Sequence, residues 1–285
     1  MLDPKPGESF IDATVNGGGH AKAILDRVGA TGKVLGIDAD SGVLEKLKLE
    51  ARNWKLETRL VLVHDSYVNL VSVAAEHGFE KVDGVLFDLG MSNWHIEESG
   101  RGFSFLRDEP LDMRYDPEQG ETATELIIKS SEADLERIMR EYGEERFAPA
   151  IARAIIQSRQ NEPLLRTSQL VEIIKHAVPM WYRNRRAHFA TKTFQSLRIA
   201  ANHEFENIEN GINQSINIVV PGGRIAIITF HSLEDRLVKN LFKTKAKEGV
   251  IELINKKAIR PSWPEIVANR KARSAKLRAV RKVMG

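Results

Sequence analysis

Cysteine is absent from all 285 residues, which excludes disulfide scaffolds, thiolate zinc sites and cysteine nucleophiles. Nowhere do roughly eighteen apolar residues run together, and Met1-Leu2-Asp3-Pro4-Lys5-Pro6 has no apolar stretch behind a basic head, so neither a membrane span nor a signal peptide is expected. A cytoplasmic protein is the default expectation. What is present, 42% apolar and 28% charged residues, suits one large α/β domain or a domain carrying an insertion.

The net charge of +3 is unevenly spread. Residues 255–285 hold ten Lys and Arg against the single acid Glu265, a local +9 that leaves −6 for the rest. Clustered cations of this kind neutralise phosphates and release counterions, or form a solvated basic end.

Short apolar runs alternate with helical periods over the first hundred residues. Strands are predicted at Ser9–Val15, Lys33–Asp38, Leu60–His64 and Val82–Asp88. Helices are predicted near His20–Val28 and through Val43, Leu44, Leu47 and Ala51. Strand, helix, strand in repetition implies a parallel sheet with right-handed crossovers. From about Asp108 to His188 the periods are helical only, and Ser131 with Asp134 forms a capping box ahead of Leu135, Ile138, Met139 and Tyr142. Ser168 is placed as the cap of a later helix, and Phe194 to Val219 reads as one helix ended by Pro221-Gly222-Gly223. A buried strand at Arg224–Phe230, a helix from Ser232 to about Lys245 and two late strands, 250–255 and 274–280, complete the pattern. The domain expectation is residues 1–107 and 189–285 as one α/β domain, with 108–188 as a helical insertion.

Asn16-Gly17-Gly18-Gly19-His20 lies between a strand and a helix, where glycine allows close backbone approach and the helix start offers free N–H groups. It is not a dinucleotide fingerprint, because Lys22 stands where the last glycine would fall. One tight glycine turn suits an adenosine ligand bearing an amino-acid carboxylate, or serves structure alone. Asp38 ends the second strand, where a carboxylate accepts ribose hydroxyls. Asp40 is read as either a second ligand or a helix cap. Asp65 and Tyr67 are placed to meet an adenine amine and ring face, or to act as ordinary loop residues.

Asp88-Leu89-Gly90-Met91-Ser92 closes the fourth strand at the carboxyl edge, where open α/β sheets bind ligands. A nucleobase amine is a poor nucleophile because its lone pair is delocalised. An acid at this edge could align its N–H donors and lone pair with a methyl sulfonium, using proximity and electrostatics.

Four further groups have weaker claims. Arg101, Arg107 and Arg114 alternate with Asp108, Asp112 and Asp116, which suggests a buried ion network ahead of a metal site. Phe103 and Phe105 stack on a base or fill core. Trp181-Tyr182-Arg183-Asn184-Arg185-Arg186 reads as an RNA-contacting loop, or a solvated one anchored by its tryptophan. His231 beside Ser232 could act as a base, but no third partner is evident.

Together these blocks resemble the S-adenosylmethionine-dependent methyltransferases that modify N4 of a cytosine in small-subunit ribosomal RNA. The matching stretches are Asp12 to His20, Leu86 to Ser92, Arg101 to Asp116, Tyr142 to Phe147, Ile151 to Ile155, Phe230 to Arg236 and Arg273 to Arg278. They span nearly the whole chain in order. The resemblance implies a class I, Rossmann-like α/β methyltransferase sheet with an inserted α-helical substrate-recognition domain. It implies donor binding by Gly18, Gly19, His20, Asp38, Tyr67, Asp88 and His95, with Asp88 also the catalytic acid that orients the amine. Tyr67 falls where the family usually has phenylalanine, and His95 where many members carry glutamine. Members usually begin with a segment ahead of the first strand, which here is expected within a few residues of Pro4.

The expected activity is methyl transfer from S-adenosyl-L-methionine to that cytosine amine, without a metal. The partner is small-subunit ribosomal RNA in an assembled or late-assembly subunit, no membrane is involved, and a homodimer is compatible. Two rivals share the fold: a nicotinamide-dependent oxidoreductase and a non-catalytic ribosome-assembly protein.

Overall fold

Each early strand ends where its apolar run meets a polar residue. In a computed structural model, which describes residues 1–283 apart from 55 and 57, these are β1 (Ser9–Asp12), β2 (Lys33–Asp38), β3 (Leu60–His64) and β4 (Val82–Asp88). β1 stops short of the expected Val15 because the chain there divides between two neighbours. The Ala13 amide donates to Leu86 O at 2.8 Å and the Val15 amide to Ile37 O at 2.9 Å. The intervening helices are α1 (Gly19–Val28), α2 (Ser41–Trp54) and α3 (Leu70–Glu76).

Two units divide the chain, Met1–Gly90 with Phe205–Gly285, and Met91–Glu204. Their boundaries lie at 90/91 and 204/205, where the sequence suggested 107/108 and 188/189. The second unit carries α4 (Asn93–Glu97), α5 (Ala123–Lys129), α6 (Glu132–Gly143), α7 (Ala148–Arg159), α8 (Thr167–Ala177), α9 (Met180–Arg183) and α10 (Thr191–Ala201). Ser131 and Asp134 form the expected capping box of α6. Ser168 does not cap α8: the cap lies two residues earlier, at Arg166, and the Ser168 hydroxyl donates to Asp108 at 2.6 Å. Leu135, Met139, Ile151, Ile155, Leu170, Ile174 and Leu197 fill this unit's core, which is what their three-and-four spacing requires.

The helix expected over 194–219 is two helices. α10 ends at Ala201 and α11 (Glu204–Ile218) follows, with His203 between them in a left-handed conformation at φ 48°. The first unit continues with β5 (Val219–Thr229), α12 (Ser232–Lys247), β6 (Ile251–Leu253), α13 (Trp263–Ala268) and β7 (Lys276–Lys282). Pro221-Gly222-Gly223 does not precede the strand but lies inside β5, where the register against β4 jumps from Val82↔Val219 to Gly84↔Arg224.

The sheet order is β3-β2-β1-β4-β5-β7-β6. β1 to β5 run parallel, and β7 pairs antiparallel with both β5 and β6. Alternate residues serve opposite faces. Ile11, Leu35, Val85, Phe87 and Ile225 join the core with α3, α11 and α12, while Phe10, Val34, Leu86 and Ala226 join one with α1 and α2. Helices on both faces account for the unbroken apolar strands. Among the described residues, no helix is long and apolar enough to cross a membrane.

Candidate active site at the carboxyl edge of the sheet

Three carboxylates close three adjacent strands: Asp12 on β1, Asp38 on β2 and Asp88 on β4. β1 lies between the other two. Asp12 pairs with Gly36 on one side and Leu86 on the other, so Asp38 and Asp88 each stand two residues further on, level with one another. With strands about 4.8 Å apart, roughly 10 Å separates them along the edge, a separation on the scale of a nucleoside.

The glycine loop folds over this edge. Gly18 has φ +73°, and a Cβ there would lie 2.5 Å from Leu47 Cδ1, so its conformation and its packing both call for glycine. Beside Gly17 and Gly19 a Cβ would meet nothing within 4 Å. That side of the loop is open to a ligand, next to the start of α1.

Asp38 is buried and accepts the Asn16 amide at 2.8 Å and the Asp40 amide at 3.0 Å. It therefore ties the glycine loop to β2. Asp40 is a helix cap, accepting the Gly42 amide of α2 at 2.9 Å. Asp65 is a loop residue, accepting the Ser66 amide and the Asn69 side chain at 2.6 and 2.8 Å. Tyr67 stands edge-on to Phe87 at 5.5 Å and is admitted by Gly211 of α11, where a Cβ would come within 2.7 Å of the ring.

The electrostatics centre on Asp12, His20 and Asp88. Asp12 is fully buried, and neither of its oxygens makes a well-formed hydrogen bond among the described residues, the Thr14 amide being near enough only to oppose the rise of its pKa. Burial pushes its carboxyl up to about 7, with His20 acting against the shift and Asp88 adding to it. Asp88 donates its amide to Thr14 Oγ1 at 2.6 Å. Its Oδ2 lies 3.6 Å from His20 Nε2, while Oδ1 is buried without a partner among the described residues. The imidazole of His20 is raised above its ordinary value, first by its polar contact with the Asp88 carboxylate and then by the charge of Asp12, against burial.

Asp12 lies in one of the family-like stretches of the sequence, where no role is expected of it. Its signal is that of an acid inside a largely apolar predicted strand, four residues ahead of Asn16. Unsatisfied carboxylate oxygens beside an open backbone favour a cationic ligand and oppose a pyrophosphate. A sulfonium nucleoside with an ammonium group fits these donors and acceptors.

The sequence profile of the MraW methylase family matches residues 1–283. The chain belongs to the MraW methylase family. It is 41% identical to ribosomal RNA small subunit methyltransferase H of Syntrophotalea carbinolica, over 99% of this chain and 94% of that one. It is 40% identical to the protein of the same description from Heliobacterium modesticaldum, over 99% and 95%. Among solved structures it is similar to an rRNA methylase from Streptococcus thermophilus, with a TM-score of 0.46 and 11% identity over 99% of this chain and 90% of that one.

The remaining sequence blocks of this MraW family chain have structural explanations. In Phe230 to Arg236, His231 caps α12: its Nδ1 accepts the Glu234 amide at 3.3 Å, and the buried Glu234 accepts the Phe230 amide at 2.8 Å. This is a capping box, not a hydrolase triad. Asp235 from the same block binds Arg278 at 2.7 Å and Lys276 at 3.1 Å, which joins it to the block running to Arg278. These cations hold its carboxyl below the usual range although burial opposes them.

In the second unit, His95 is buried. Its Nδ1 accepts the Ser92 amide at 3.1 Å, and its ring packs 5.0 Å from both Phe103 and Tyr115. Phe103 is buried, and Phe105 packs edge-on to Phe194 at 5.7 Å, so both fill core. The expected Arg–Asp network is partly exposed: Asp112 pairs with Arg114, which also feels the charge of Asp116, and Asp108 pairs with Arg166, each pair at 2.7 Å. Residues 180–183 form a short helix, and its anchor is Tyr182, whose hydroxyl donates to the buried Glu145 at 2.8 Å. Trp181 is half-exposed beneath Arg146, 5.5 Å from its ring.

Proposed function

We propose that the protein transfers a methyl group from S-adenosyl-L-methionine to the exocyclic N4 amine of a cytosine in small-subunit ribosomal RNA. The observation that carries the reading is the trio Asp12, Asp38 and Asp88 on neighbouring strand ends, two of them with unsatisfied buried oxygens. Its support is membership of a family whose relatives are described as small-subunit rRNA methyltransferases.

Gly18, Gly19 and His20 line the donor loop, Asp38 takes the ribose hydroxyls, and Tyr67 offers an aromatic face to the adenine. The family resemblance also assigns a donor contact to His95, which belongs to the second unit. Asp12 and Asp88 balance the donor's positive charge, which removes the cost of their burial. Bound there, the donor supplies an electrophilic methyl on a sulfonium, and no metal is required to activate it. Asp88 accepts an N–H of the amine, which aims the nitrogen lone pair along the edge. The neighbouring His20 gives the released proton a half-exposed group from which to leave. The base reaches the crevice only when unstacked, so an RNA that presents it already exposed lowers the cost. The reading places the work in the cytoplasm, and sedimentation distinguishes a monomer from a homodimer.

The test is to incubate the protein with radiolabelled donor and unmethylated small subunits, then map the modified nucleoside by mass. Label on N4 of cytidine is expected. Donor binding with no transfer would instead support an assembly protein, and tight binding of NAD with none of S-adenosylhomocysteine would support the oxidoreductase.

A further inference from the structure

Between Asn255 and β7 the chain makes an excursion pinned at its base. Ile259 and Leu277 exchange both backbone hydrogen bonds at 3.0 and 2.9 Å, and Asn255 bonds to the backbone of Leu277 and Ala279 at 3.0 and 2.7 Å. From this base project α13 and a 3-10 turn at Arg270–Ser274. No residue of α13 is buried, and Trp263 is 75% exposed, with Val267 one turn on also exposed. Residues 256–273 carry six Lys and Arg, all exposed, against the single acid Glu265.

The register shows where this arm emerges. Lys276 opens β7 opposite Thr229, the last residue of β5. Asp88 of β4 pairs with Ile228 of the same strand. The arm therefore leaves the sheet at the carboxyl edge that carries Asp12, Asp38 and Asp88, within the same unit.

An exposed tryptophan is costly in solvent, and here it stands with Val267 in a segment of eighteen residues that carries six cations and one acid. A protein partner would be met through an apolar surface with few charges at its centre, whereas a flat ring among cations suits an unpaired base flanked by phosphates. We infer that residues 256–273 form a single-stranded RNA arm, in which Trp263 stacks on an unpaired base near the target while cations such as Arg260 and Arg270 hold the adjoining phosphates. The inference rests on the methyl-transfer reading for the identity of the RNA, but it concerns binding and not chemistry.

The test compares Trp263→Ala, Trp263→Phe and the double variant Arg260→Ala/Arg270→Ala with the wild-type chain. Affinity for a short fluorescein-labelled single-stranded oligoribonucleotide and for an RNA duplex is read by anisotropy across a salt series. Trp263→Ala weakens single-strand binding about tenfold and Trp263→Phe by about threefold or less, with the salt slope unchanged. The double variant makes the slope shallower by roughly 0.7 per cation removed. Duplex binding responds to the double variant but not to Trp263→Ala. Thermal stability and the affinity for S-adenosylhomocysteine do not move, because Trp263 packs on nothing in the core, and with small subunits as substrate KM rises while kcat holds.

Single-strand affinity indifferent to Trp263→Ala overturns the arm, even if wild-type methyl transfer is normal. So does a change confined to self-association in sedimentation, which would make the face a protein contact. Trp263-dependent RNA binding without any methyl transfer would instead leave the arm standing and remove the catalytic reading.

Discussion

His20 Nε2 lies 3.6 Å from Asp88 Oδ2, so the first helix after the glycine loop is tied electrostatically to the end of the fourth strand. The pair raises the histidine pKa. A histidine raised in the folded state contributes stability that is complete below its unfolded value near 6.5 and is lost as pH rises through the folded value. Asp88→Asn removes the largest cause. NMR titration of the His20 ring in that variant is expected to return a pKa lower than in the wild type, and an unchanged value would dissociate the two residues.

Asp88→Ala is expected to lower kcat for methyl transfer to small subunits by about a hundredfold or more, the scale of losing an orienting electrostatic group. Transfer at the wild-type rate with donor affinity intact would remove Asp88 from the proposed role.

Asp12 acts on stability in the opposite sense from a paired carboxylate. Its folded pKa is raised from 3.8 to about 7, so the folded state binds the extra proton and stability falls as pH rises from about 4 through 7. Asp12→Asn is expected to be more stable than wild type at pH 8 by an amount on the order of a few kcal/mol, with the gap closing toward pH 4. Urea unfolding across pH measures it. Donor binding in the same variant is expected to weaken, which separates fold from function at one atom.

The glycines of the loop are expected to divide. Gly18→Ala forces φ +73° on an alanine and presses its Cβ against Leu47, at a cost of roughly 1–2 kcal/mol. Gly19→Ala meets open space and gains helix propensity, so its Tm holds or rises. Its affinity for S-adenosylhomocysteine nevertheless falls about tenfold, or roughly 1.4 kcal/mol, because the methyl occupies the ligand side. Differential scanning fluorimetry with titration calorimetry reads both quantities.

Asp235 holds Arg278 at 2.7 Å and Lys276 at 3.1 Å with little exposure on any of the three. Asp235→Ala leaves Arg278 buried without its anion and is expected to cost about 3 kcal/mol. Removing both charges, as Asp235→Leu/Arg278→Met, is expected to recover most of it. Equivalent losses in the single and double variants would show that packing, not charge, is at stake.

Strands β2, β3 and β4 were readable to the residue because an apolar run covered on both faces stops abruptly at Asp38, His64 and Asp88. The same ends exposed Asp38 and Asp88 as site candidates. Asp12 was not assigned, since nothing adjacent in sequence reveals that a side chain will be sealed without a partner; that depends on the packing of three strands. The break at His203 was hidden for a related reason. The stretch Ala200-Ala201-Asn202-His203-Glu204 has neither proline nor glycine, and a left-handed histidine is held there by tertiary structure. Trp181 and Tyr182 exchanged roles because composition cannot tell which of two adjacent aromatics faces Glu145. The blocks around His231 and Arg278 are distinctive in sequence, yet their structural content is a helix cap and a clasp.

That clasp belongs to a strand that arrives late. Residues 276–282 follow every strand they pair with, but they are threaded between β5 and β6. A nascent chain paused before residue 276 presents the backbone of Arg224–Thr229 as an open, apolar ladder able to pair with another copy. Synthesis of this segment therefore marks the moment at which the protein stops being prone to self-association, and truncation just upstream of it should send the chain to inclusion bodies rather than merely weaken it.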